Sequence, residues 1–171
     1  MDHATQIAVG RVVHTKSVWD IEKKNIFTVY TLQGHSYLKQ PTPFTYFDVI
    51  VMGGVIEDEA QIVSPSLELL LDQVHLVFLQ PSTQILDNTS SSFQPTFELY
   101  SYIQGALPLK NGGFYDHFGS KPIGYSAMLR YIQGKTGFEP YKPSSTSTSP
   151  SSFSTYSADT PSRYRLSLIH I

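Results

Sequence analysis

The sequence predicts a mainly β chain, an OB-like barrel of five strands (alternatively a β-sandwich), with one packed C-terminal helix and a disordered tail. Three observations carry this. Short runs of β-branched and aromatic residues recur, separated by polar, Gly or Pro turns. Most of those runs are apolar on both faces, so one face fills an interior and the other needs a cover. Finally, Tyr125, Met128, Leu129 and Ile132 stand at i, i+3, i+4 and i+7, a single apolar stripe on a helix.

The elements follow in order. Ile7–Val13 (IAVGRVV) is the first strand, and Gly10 marks a bulge, a bend or a close approach. Asp20–Asn25 is a polar turn, and Ile26–Leu32 (IFTVYTL) is the second strand. Pro41 and Pro43 break the chain before Tyr46–Met52 (YFDVIVM), the third strand, which Gly53-Gly54 ends. Glu57-Asp58-Glu59 is an acidic turn, and Pro65–Leu71 fits a short helix or a strand. Val74–Leu79 (VHLVFL) is the fourth strand, Ser82–Pro95 a polar loop, and Phe97–Ile103 the fifth strand, ending at Gly105. Pro122 suits the first turn of the helix and Gly134 its end. Pro143–Ser162 is Ser, Thr and Pro with little to bury, which reads as a linker.

Composition removes several function classes. Of 171 residues, 40% are hydrophobic, enough for a core, while only 15% are charged. Net charge is −2 with no basic stripe, which argues against a nucleic-acid partner because phosphate contacts dominate that affinity. Without cysteine there is no disulfide, thiolate zinc site or cysteine nucleophile. No apolar run is long enough for a helical membrane span, and Met1–Thr5 carry no signal-peptide pattern, so the expectation is either a cytosolic protein or an incomplete N-terminus.

The motifs that carry chemistry are missing. No HExxH pair would place two imidazoles and a general base on one helix face, and His14 and His75 read as strand histidines rather than ligands. Glu57, Asp58 and Glu59 are adjacent, whereas calcium loops space their oxygens at alternate positions, so they read as a solvated turn. There is no GxSxG elbow, P-loop or GxGxxG, so the expectation is no catalytic residue, no metal and no cofactor. Trp19 reads as closing a barrel end, with Asp20 starting the next turn. Asn88-Thr89-Ser90 matches a glycosylation sequon and reads as a turn. Small barrels can present aromatic rings to sugars or bases, which makes Tyr37, Tyr46 and Tyr100 the candidate ligand contacts of an exposed groove.

Several segments follow one another in a telling order: VGRVVHTKSVWD (Val9–Asp20), IFTVYT (Ile26–Thr31), VIVMGGVIEDE (Val49–Glu59), VSPSLEL (Val63–Leu69), VFLQP (Val77–Pro81) and YIQGALPL (Tyr102–Leu109). This series resembles the N-terminal β domain of large secreted Bacteroidota proteins, many with a type IX secretion sorting signal and some with a matrixin-like zinc peptidase domain further along. The strand–strand–GG–strand order is also similar to the OB-type barrel of tissue inhibitors of metalloproteinases. Those inhibitors reach zinc through an N-terminal cysteine that this chain lacks, so inhibition does not carry over. FSTYSADTP (Phe153–Pro161) resembles the opening strand of an Ig-like IPT/TIG domain, and LSLIHI (Leu166–Ile171) resembles the translation of a transposase adaptor from sequencing libraries.

The resulting expectation is an OB-like barrel over 6–108, a helical extension over 109–137, a linker over 138–165, and residues 166–171 set aside from fold reasoning. The resemblance implies a non-catalytic structural or adhesive module of an extracellular or cell-surface protein, whose partners are the downstream domains of the same chain. A glycan- or peptide-binding barrel for extracellular partners is the alternative. A hydrolase would need His75 or His117 in bonding reach of Glu57 or Asp58.

Overall fold

The computed structural model describes residues 3–65, 67–87, 94–116, 121–143 and 165–170. The chain is mainly β. Strand β1 (Gln6–Trp19) and strand β2 (Ile26–Lys39) form a long antiparallel ribbon. Asp20 makes its turn: the carboxylate accepts from the backbone N–H of Lys24 at 2.7 Å and from the side-chain amide of Asn25 at 2.8 Å. β3 (Tyr46–Met52) pairs antiparallel with β2. β4 (Gly54–Ile56) and β5 (Glu59–Ser64) form a hairpin outside the main sheet. β6 (Val74–Pro81) pairs with β1, and β7 (Thr96–Leu99) lies antiparallel to β6 and parallel to β3. The ring β1-β2-β3-β7-β6 therefore closes on itself, which leaves these five strands without a free outer edge along their paired lengths.

After a 3₁₀ turn (Tyr102–Gly105), β8 (Ala106–Lys110) pairs with β6, then β9 (Gly113–Phe114) and β10 (Ile123–Gly124) extend the sheet to helix α1 (Tyr125–Thr136). Gly137, in the left-handed region, ends the helix and donates to the Gln133 carbonyl. Tyr141 then exchanges two backbone hydrogen bonds with Tyr37. The folded unit thus runs past 138, where the sequence placed the start of a linker. β11 (Arg165–His170) lies parallel to β5. The remainder of that linker, including the stretch similar to an Ig-like strand, lies outside the described residues.

Burial follows the two-faced pattern of the strands. Ala8, Val12, Leu32, Phe47, Val49, Val77 and Leu79 fill the barrel. On the outside, Ile7, Val9, Leu38, Leu76 and Phe78 lie under Met128 and Ile132 of α1, the cover the sequence called for. Phe27, Val29 and Ile50 are covered instead by Leu86, from the loop after β6.

Three expectations need correction. Over its described residues, 65 and 67–71, the Pro65–Leu71 stretch is neither helix nor ladder strand: Leu67 and Leu69 are buried in the barrel core, and Glu68 and Leu70 are exposed. The fifth strand stops at Leu99 because Ser101 and Tyr102 turn into the left-handed region. Gly105 then passes so close that a Cβ would lie 2.3 Å from the Tyr100 carbonyl oxygen. The helix continues through Gly134 to Thr136, and Pro122 precedes it rather than opening it.

Candidate functional site

The three tyrosines do not form a groove. Tyr37 is 1% exposed inside the barrel, where its hydroxyl donates to the Phe44 carbonyl at 2.8 Å and its ring lies 6.0 Å from that of Phe47. Burial, with Tyr141 close by, pushes its pKa well above the ordinary phenol value. Tyr46 is half-buried at the start of β3, opposite Gln33, and Tyr100 is half-buried on the side of the barrel that carries α1. A buried ring with a satisfied hydroxyl cannot stack a ligand, so Tyr37 is a core residue rather than a ligand contact. The other two stand on different surfaces.

The condition set for a hydrolase is not met among the described residues. His75 is buried and lines a cleft of about 510 Å³ of mixed polar and apolar walls, together with Glu68, Leu69, Lys110, Tyr115 and Asp116. Glu57 and Asp58 stand exposed in the β4–β5 turn and do not line it, and His117 lies outside the described residues. Cross-strand register does align His14, Thr31 and Asp48 across β1, β2 and β3. There the buried Thr31 hydroxyl donates to Asp48 Oδ1 at 2.7 Å. Burial holds the His14 pKa below its ordinary value, Lys16 pushes it the same way, and Asp48 opposes them. No group of three or more metal-ligating side chains occurs among the described residues, and no helix there is long and apolar enough to cross a membrane.

The most developed surface is one the sequence pattern did not single out, the β4–β5 hairpin and the space beside it. Gly53 and Gly54 carry the chain from β3 into the hairpin at φ 103° and 150°, and a Cβ on Gly54 would meet Ser17 Oγ at 2.6 Å. That close passage lets the Val55 N–H donate to Ser17 Oγ at 3.2 Å, while the Thr28 hydroxyl donates to the Gly53 carbonyl at 2.7 Å. Gln61, buried on β5, accepts the Ile26 N–H through its side-chain carbonyl. The hairpin is thereby held against one end of the β1–β2 ribbon. Between it and the Leu67–Leu71 segment lies an open cleft of about 620 Å³, floored by Tyr30 and Leu69. Val55, Ile62, Leu70 and Leu71 rim it, each about half exposed. The signal was present in the sequence: two short apolar runs flank the acidic turn directly after Gly53-Gly54, a hairpin pattern.

The outer edge of β5 is where the chain adds a strand. Residues Arg165–His170 pair with Glu59–Ser64 in continuous parallel register, Arg165 opposite Glu59 and His170 opposite Ser64. No protein-family model, curated protein or solved structure matches the chain.

Proposed function

We propose that this chain is a non-catalytic accessory module that anchors the polypeptide following it by strand addition to β5, fixing the position of what comes next. The observation that supports this is the six-residue parallel register between β11 and β5. Strand addition is held by main-chain hydrogen bonds, so it tolerates many sequences. Residues 166–171, which the sequence sets aside, supply five of the six positions of that strand, so the support lies in the edge of β5, which stands outside the closed ring and pairs along Glu59–Ser64. The ring order, with β3 parallel to β7, supports reading the barrel as OB-like. The ordered motif series from Val9 to Leu109 supports placing the module in a secreted, extracellular multidomain protein of the Bacteroidota type.

The test is Leu168→Pro in the full chain, read by hydrogen exchange. Proline removes a backbone donor and is poorly accepted inside a ladder. The β5 amides of Glu59–Ser64 that point away from β4 should exchange faster, with the melting temperature of the barrel unchanged. Unchanged exchange along β5 would mean that nothing is anchored there.

The alternative, a barrel that binds a separate glycan or peptide, draws its support from the open cleft beside β5. The aliphatic rim favours peptide, since sugar sites rely on exposed aromatic faces, and of the two lining tyrosines Tyr30 is only 5% exposed and Tyr102 is partly buried.

A further inference from the structure

We infer that the cleft beside β5 is the mouth of the barrel and binds a small uncharged molecule, one with an aliphatic body and a single acceptor for the Tyr102 hydroxyl. This goes beyond strand addition at β5 and does not rest on it. The cleft opens directly on the barrel interior, because Tyr30, Val51, Leu67 and Leu69 belong both to its lining and to the core cluster. Tyr102, also in the lining, packs on that same cluster. Cross-strand register sets Thr15 opposite Tyr30 and Ser17 opposite Thr28, and all four line the cleft. One face of the β1–β2 ribbon therefore runs from the core out into the mouth. Small-molecule sites favour the mouths of β-barrels, and a volume of about 620 Å³ is in their range.

The chemistry of the walls defines the occupant. Val55, Ile62, Leu70 and Leu71, each about half exposed, offer an apolar body a surface to cover. Most polar side chains of the mouth are already engaged. Ser17 Oγ accepts the Val55 N–H, the Thr28 hydroxyl donates to the Gly53 carbonyl, and the Tyr30 hydroxyl is held by the Leu69 backbone. Thr15 and Glu68 are exposed to solvent. The Tyr102 hydroxyl differs: it is buried and has no hydrogen-bond partner among the described residues. A buried donor without an acceptor is costly to keep, and a ligand oxygen would satisfy it. Ser101 and Tyr102 hold this position in the left-handed region, at φ 60° and 50°, a strained geometry that gathers at functional sites. Burial raises the Tyr102 pKa above the ordinary phenol value, so the hydroxyl stays a donor at neutral pH. Glu68 is the only charged residue in the lining. A carboxylate would thus enter without a cation to pair with, and an ammonium would bring no acceptor to Tyr102.

The test is calorimetric titration of the full chain at neutral pH with three probes of one chain length: octanamide, octanoate and octylammonium. Octanamide should bind with a dissociation constant of about 1 mM or tighter, as a ligand of that size in a formed pocket can. The two ions should bind at least about tenfold more weakly, since each buries a charge without a partner. Tyr102→Phe should weaken octanamide about five- to tenfold, the loss of one hydrogen bond, while the ligand-free chain keeps or raises its melting temperature. Leu70→Asp, at a half-exposed position, should also weaken octanamide at unchanged melting temperature. No binding of octanamide, or equal binding of the three probes, would overturn the proposal. So would a Tyr102→Phe chain that binds octanamide as the parent does, because Tyr102 would then serve packing alone. A Tyr102→Phe chain that melts lower without ligand would show that the hydroxyl already has a partner, with the same consequence. Tighter binding of N-acetylated, C-amidated dileucine than of octanamide would make the mouth a peptide site and overturn the small-molecule assignment. Failure of strand addition in the Leu168→Pro test would leave all these outcomes unchanged, so the two readings fail separately.

Discussion

Tyr37 separates a binding barrel that uses its tyrosines from one that buries them. Its side chain is 1% exposed, and its hydroxyl donates to the Phe44 carbonyl at 2.8 Å. Tyr37→Phe removes one hydrogen bond and leaves that carbonyl to find a partner, at a cost of about 1 kcal/mol. With a urea slope of about 2 kcal/mol per molar for a domain of this size, the midpoint should fall by roughly half a molar at unchanged slope. Tyr37→Ala also empties the space between Phe47 and Tyr141, whose rings lie 6.0 and 6.4 Å away. By analogy with aromatic truncations it should cost about 3–5 kcal/mol and move the midpoint by about 2 M. The pH dependence has a definite sign. Burial raises the folded-state phenol pKa above the unfolded value. The stabilisation is therefore complete below about pH 10 and is lost as pH rises toward the folded value. Tyr37→Phe should flatten that alkaline limb. Equilibrium urea unfolding followed by circular dichroism measures all three. A Tyr37→Ala chain as stable as the parent would refute the buried placement and restore Tyr37 as a surface contact.

Two further outcomes test the rest of the fold. Ile132 is fully buried between α1 and the outer faces of β1, β2 and β6, so Ile132→Ala should cost about 2–5 kcal/mol in urea unfolding; a loss under about 1 kcal/mol would mean that the helix does not seal the barrel. Burial lowers the pKa of His14 and His35, assisted by Lys16 and Arg11 respectively. Their contribution is thus present above about pH 6.5 and is lost as pH falls, because the unfolded chain takes up these protons first. The melting temperature should drop between pH 7 and 5, and the His14→Gln, His35→Gln double variant should show a shallower drop.

The ring was legible where strands are apolar runs with hard stops. β3 matches its expected bounds because Pro41, Pro43 and Gly53-Gly54 bracket YFDVIVM. β1 and β2 extend well past their expected ends, since Thr15-Lys16-Ser17 and Gln33–Ser36 look like loop residues. Cross-strand pairing in the ribbon holds them as strand all the same. The tyrosines were misplaced for a related reason. Three register shifts in the β1–β2 ladder, between Ile7/Ala8, Val9/Gly10 and Val12/His14, break simple alternation, so counting along the strand does not say which face Tyr37 takes. Pro65–Leu71 was ambiguous because Leu67 and Leu69 plug the barrel core from a segment with no ladder partner, and no local pattern encodes that. The candidate site was half legible, as an acidic turn and a glycine pair, but its cleft exists only once the hairpin is folded over the end of the ribbon.

The position of that hairpin bears most directly on function. A closed ring uses its strand edges on itself, and natural sheets blunt the edges they leave open with charge, proline or a covering element. β5 lies outside the ring, and within it Glu59 is the only charged residue, with Ala60, Ile62 and Val63 after it. Such an edge left bare would be a template for pairing with any passing strand. A β11 strand paired along the whole length of β5 covers that edge. It follows that the Leu168→Pro chain should be the variant most prone to self-association. Sedimentation velocity at rising protein concentration would show this, and a strictly monomeric variant would mean that the β5 edge is protected by something other than β11.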